Sequence, residues 1–203
     1  MSGLAWTLVA LGIGVVVVRR RSIAVALVTT QALVLAVAAV GEGPSIDELA
    51  AAGALAARGA LLGAFFLFLV RRTRETRPHP AGAAPLARAA AAVALALTLI
   101  WLVPPFGLDS SAAEQATLSL IALGLVTAAS RRATLFQVLG IVLVENGLAL
   151  AALSLPGTSS LAIEIGVAVD LVLIALVAGV FHERIFAEFG ASDTAALRSL
   201  RDS

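Results

Sequence analysis

The sequence predicts an all-α fold, a polytopic membrane helix bundle of about seven transmembrane helices with the N-terminus outside and the C-terminus cytoplasmic. Three observations carry that expectation. Hydrophobic residues fill 60% of the 203 positions and the mean hydropathy is +1.02, well above the range of water-soluble domains. The apolar residues gather into seven runs, approximately 3 to 18, 22 to 40, 49 to 70, 86 to 103, 112 to 130, 133 to 153 and 161 to 183. Each is close to the roughly 17 to 25 residues that a helix rising about 1.5 Å per residue needs to cross about 30 Å of hydrocarbon. Finally, thirteen of the fourteen arginines sit in alternate connections, as the two sides of a membrane require.

The first run is short, but its charges, Arg19, Arg20 and Arg21, follow it and none precedes it. That is the reverse of a secretory signal, so the run is expected to be a retained helix. The second run lies between those arginines and the acidic connection GEGPSIDE, and the third ends at Arg71 and Arg72. Pro78, Pro80 and Pro85 punctuate the long loop that follows, a topogenic cytoplasmic loop and the best candidate for a linker. The fourth run stops at Pro104 and Pro105, and the fifth and sixth are joined by a tight turn at Arg131 and Arg132. Pro156 and Gly157 mark the turn into the seventh. The tail ASDTAALRSL reads as a short amphipathic helix capped by Ser192, a docking element or a solvated end.

Orientation follows from arginine alone, since the chain has no lysine. Thirteen of the fourteen arginines fall in one set of connections: Arg19 to Arg21; Arg71, Arg72, Arg74, Arg77 and Arg88; Arg131 and Arg132; and Arg184, Arg198 and Arg201. The other set carries Glu42, Asp47, Glu48, Asp109 and Glu114 and no positive charge, which places it outside.

Composition also restricts the chemistry. Without cysteine there are no disulfides and no thiolate-held zinc or iron-sulfur sites. The two histidines, His79 in a polar loop and His182 at the end of an apolar run, do not make a paired-histidine haem site or a metal cluster. No Walker loop is present, and no serine nucleophile is joined to a histidine and an acid. No cofactor, catalytic centre or nucleic-acid partner is expected.

What remains is a set of ionisable residues inside apolar runs. The fourteenth arginine, Arg58, lies thirteen residues before Arg71, and Glu145 lies thirteen after Arg132. Asp170 lies thirteen before Glu183. At about 1.5 Å per residue all three sit about 19 Å from one helix end, within about a turn, and are expected to form one layer. A charge at such depth costs at least about 2.5 to 3.5 kcal/mol, so these groups face the bundle interior and pair. Two readings stay open: a proton or ion relay, or a neutralised cluster that only orders the helices.

Glu164 stands six residues before Asp170, in the first turn after the cap Ser160, where the positive helix end accounts for it as well as an outer relay step does. His182 is a candidate inner step, or a solvated side chain beside Glu183 and Arg184. Gly59 and Gly63 form a GxxxG spacing next to Arg58 that favours close helix approach.

The run GLVTAASRRATLFQVLGIVLVENGLALAAL resembles the first two helices of the small K-type membrane subunit of complex I: a glycine-containing helix, a tight basic turn, then a helix with a buried glutamate. AIEIGVAVDLVLIALVAGVFHERI is similar to its third helix, with Asp170 at the second buried acid. With four helices before this unit, the plan resembles the hydrogenase-4 component E family, membrane subunits of group 4 hydrogenases related to formate hydrogenlyase. The resemblance divides the single membrane domain into 1–111, four helices; 112–190, the three-helix unit; and 191–203, the tail. Two positions depart from the K-type pattern: Asn146 adjoins the glutamate instead of lying beyond it, and Asp170 replaces a glutamate. Arg58 belongs to the depth reading and not to the resemblance.

The resemblance implies a subunit of the inner membrane with no redox centre of its own. Its expected partners are lipid, antiporter-like membrane subunits and peripheral metal-bearing hydrogenase-type subunits, and Glu145, Asp170, Glu164, Arg58 and His182 are its expected proton-path residues. A free-standing secondary transporter and a purely structural membrane subunit are the alternatives; the inverted repeats and broken helices that often mark transporters are not evident in the sequence.

Overall fold

A computed structural model describes residues 2–40, 46–73, 84–131, 133–155 and 179 of the chain. Six helices account for nearly all of them: α1 (Ser2–Val17), α2 (Arg21–Ala39), α3 (Ile46–Thr73), α4 (Pro85–Leu102), α5 (Ser111–Ser130) and α6 (Thr134–Leu153). Their limits fall within about three residues of the first six apolar runs, because the same arginines, prolines and capping residues that bound the runs also end the helices. Five of them, α2 to α6, are long and apolar enough to cross a membrane; α1 is a shorter apolar helix of 16 residues. This is the make-up of a helical membrane protein. Of the seventh run only Gly179 is described, helical and buried, where a Cβ would lie 2.5 Å from Cζ of Phe65 in α3.

Local chemistry explains the ends. Pro85 occupies the first turn of α4, where its missing N–H is no loss. Ser110 caps α5, its Oγ accepting from the Ala113 N–H at 3.2 Å. In the same first turn Glu114 Oε1 accepts from the N–H groups of Phe106, Gly107 and Leu108 at 3.1, 2.9 and 3.2 Å, folding the preceding loop over the helix end. Gly107 takes φ +82° there, a conformation that L side chains adopt only with strain.

The helices meet where side chains are smallest. A Cβ on Gly59 would lie 2.5 Å from the Ala32 Cβ, and one on Gly63 would collide with Thr29, so the GxxxG spacing sets α3 against α2. In the α5–α6 pair the atom met is backbone: a Cβ on Gly124 would lie 2.5 Å from the Gly140 carbonyl oxygen. By contrast, α4 buries only Arg88, Ala92 and Ala96, and it leaves Leu86, Leu97 and Trp101 exposed.

Contacts between connections define two ends of the bundle. At one, Arg131 of the α5–α6 turn bonds the carbonyls of Val16 and Val18 at the end of α1. At the other, the Asp109 N–H of the α4–α5 connection donates to the Ser154 carbonyl at the end of α6, at 2.9 Å. Arg88 requires a correction: the sequence groups it with the loop arginines, whereas it lies within the first turn of α4, only 2% exposed, with Nε donating to the Val16 carbonyl at 3.3 Å. Its long side chain lets a helical position serve the charged end of the bundle.

Candidate functional site: a buried polar layer

The apolar core of the described residues falls into two clusters, and α2, α3 and α6 each pass from one to the other through a polar residue. On α2 the order is Val28, Gln31, Leu35; on α3 it is Leu55, Arg58, Leu62; on α6 it is Leu143, then Glu145 and Asn146, then Leu150. Gln31 and Asn146 are fully buried, and Arg58 and Glu145 are 4% and 9% exposed.

These side chains form one connected line. Gln31 Nε2 donates to the Leu8 carbonyl of α1 at 2.7 Å. Asn146 Nδ2 donates to Gln31 Oε1 at 3.2 Å, and Arg58 Nη2 donates to Asn146 Oδ1 at 2.9 Å. Arg58 Nη1 is hydrogen-bonded to Glu145 Oε1 in an ion pair. Four helices, α1, α2, α3 and α6, are thus joined through groups that would be costly to bury singly.

Adjacency makes the junction possible. Successive residues of a helix point about 100° apart, so Glu145 and Asn146 approach from different directions, and the planar fork of one guanidinium reaches both through its two Nη groups. The carboxylate supplies the charge and the amide passes the hydrogen bonding on to Gln31. Gly147, the next residue, brings α6 up to α5: a Cβ there would lie 3.2 Å from the Thr117 carbonyl oxygen.

Two polar atoms of the layer stay open. Among the described residues, Arg58 Nε and Glu145 Oε2 are buried with no hydrogen-bond partner. Beside Arg58, between α2, α3 and α6, is a cavity of about 10 Å³ lined in part by Val28, Leu62, Arg58 and Asn146. That is near the smallest space that holds one water molecule.

The equal-depth expectation for Arg58 and Glu145 is therefore met by direct contact. The third member, Asp170, and the outlying candidates Glu164 and His182 lie outside the described residues, as do Ser160 and Ser192. Sequence reasoning missed Gln31. It was findable: ten residues past Arg21, it lies about 15 Å along its helix, within about a turn of the layer. No group of three or more His, Cys, Asp or Glu suited to a metal occurs among the described residues. No family model matches the chain, and neither a curated protein nor a solved structure does.

Proposed function

We propose that the chain is an inner-membrane subunit of a multisubunit hydrogenase or complex I-like respiratory complex, in which Glu145 takes up and passes protons in step with electron transfer elsewhere in the complex. The observation that carries this reading is the state of the Glu145 carboxylate. One oxygen is held by Arg58, while the other is buried, has no partner among the described residues and is open to a proton. Protonation there would neutralise the acid and weaken its hold on Arg58, whose Nη2 stays tied to Asn146. A carboxyl whose charge is balanced by a single arginine is suited to loading and release; one saturated by several donors is not.

The resemblance of 112–190 to the K-type subunit supplies the class of complex, and with it the hydrogenase-4 component E family as the proposed family. Antiporter-like subunits and metal-bearing peripheral subunits are its proposed partners. Asp170, Glu164 and His182 are the further proposed steps of the path, and the arginine-rich end is proposed to face the cytoplasm.

The test has two stages. The chain is purified from its native membrane in mild detergent, its co-purifying chains are identified, and nickel and iron are assayed. Isolation alone or as a homo-oligomer without metal would contradict the complex and leave a secondary transporter to examine. If the complex is recovered, Glu145→Gln is introduced. Intact assembly with lost proton-coupled activity is the expected result, whereas unchanged coupling would reduce the ion pair to a structural role.

A further inference from the structure

An arginine and a carboxylate facing one another commonly pair through two parallel hydrogen bonds, one to each oxygen. Arg58 and Glu145 do not. Nη1 is bonded to Oε1, while Oε2 is buried and has no partner among the described residues. The second nitrogen is engaged elsewhere, since Nη2 donates to Asn146 Oδ1 at 2.9 Å.

Asn146 is held in that role from its other side. It is fully buried, its Nδ2 donates to Gln31 Oε1 at 3.2 Å, and Gln31 Nε2 donates to the Leu8 carbonyl at 2.7 Å. The line therefore starts at a guanidinium, which can only donate, and ends at a backbone carbonyl, which can only accept. Between two such ends each amide has one orientation that satisfies it, oxygen toward Arg58 and nitrogen toward α1. A half-turn of either amide would set oxygen against oxygen at one contact and nitrogen against nitrogen at the next, and buried polar groups left without partners are costly.

We infer that Asn146 is a positioning residue: it holds the second nitrogen of Arg58 away from Glu145, and Gln31 with the Leu8 carbonyl fixes the amide that does so. The inference rests on the proton-path reading for its consequence, which is that one oxygen of Glu145 is kept for a proton. Without Asn146 the guanidinium closes on both oxygens, and an arriving proton must displace a second charge-assisted bond.

Infrared spectra of the purified protein in alkaline buffer, where the acid is ionised, test this. The carboxylate bands absent from Glu145→Gln belong to Glu145. The gap between their antisymmetric and symmetric stretches is wide when one oxygen carries the bonding and narrows when both share it. Asn146→Leu should narrow the gap. So should the double variant Gln31→Leu with Asn146→Leu, which strands no amide and keeps the test readable if the single variant fails to fold. Ser110→Ala, which removes the α5 cap and weakens the bundle away from the layer, should leave the gap unchanged. Where the complex is recovered, proton-coupled activity of the Asn146 variants should fall about tenfold, the weight of one hydrogen bond to a charged group. A gap unchanged in the double variant, or narrowed as much by Ser110→Ala, would overturn the inference. If the gap narrows but Glu145→Gln leaves coupling intact, Asn146 positions Arg58 as inferred and only the proton-path reading fails.

Discussion

Arg58 of α3 and Glu145 of α6, 87 positions apart in the chain, form an ion pair inside an apolar bundle. Neither residue is tolerable alone at that depth, so the pair fixes which faces of the two helices meet.

Removing one partner should therefore harm more than removing both. Breaking a buried pair from one side typically costs about 3 to 5 kcal/mol, because the charge left behind is uncompensated. Arg58→Gln should lower stability by about that much, and the double variant Arg58→Gln with Glu145→Gln by clearly less than the sum of the singles. Melting of the four proteins in one detergent measures this. Additive losses would mean that the charges are not coupled.

Gln31 extends the pair to α1. Replacing it with leucine removes its bonds to the Leu8 carbonyl and to Asn146. Hydrogen bonds between membrane helices average about 0.6 kcal/mol and reach about 1.7, so Gln31→Leu should cost on the order of 1 kcal/mol. A cycle with Asn146→Leu isolates the contact: coupling near zero would show that the line is broken between these residues in solution.

Much of this was legible in the sequence, for definite reasons. Helix limits follow arginine, proline and serine positions that act locally, as at Pro85 and Ser110. Arg58 and Glu145 were readable as members of one layer because helix rise converts position into depth, but which acid Arg58 pairs with was not, since Asp170 lies at the same expected depth. Gln31 escaped because an uncharged amide costs less and stands out less beside Thr29 and Thr30. Arg88 was misplaced because a run of apolar residues does not reveal which way a long side chain turns. The Gly124–Gly140 contact was hidden for a third reason: in an alanine-rich chain small residues are everywhere, and only packing shows which of them are indispensable.

The glycines can be told apart by substitution. At Gly124 a methyl group would lie 2.5 Å from the Gly140 oxygen and 2.8 Å from the Val144 nitrogen, both backbone atoms that cannot swing aside. Gly124→Ala should cost about 1 to 3 kcal/mol, the usual range for overpacking. Gly53, in the interior of α3, has nothing within 4 Å of the added carbon, so Gly53→Ala should be neutral or stabilising by up to about 1 kcal/mol. Parallel melts decide it; equal behaviour would contradict the close approach of α5 and α6.

The cluster at the end of α1 should make stability sensitive to salt and insensitive to neutral pH. Folding pushes Arg131 down to about 10, so the folded state disfavours its charged form. That penalty is fully present at every pH below about 10 and disappears only as the pH climbs from there toward the unfolded value. Between about pH 6 and 9 this arginine therefore contributes no slope. Screening acts instead on its repulsion from Arg19, since Arg19 is exposed to solvent. Raising salt from about 0.01 M to about 0.15 M shortens the screening length from about 30 Å to about 8 Å. The melting temperature in neutral detergent should rise over that range, and rise less in Arg19→Gln. A salt response identical in the two proteins would show that Arg19 does not contribute to the repulsion.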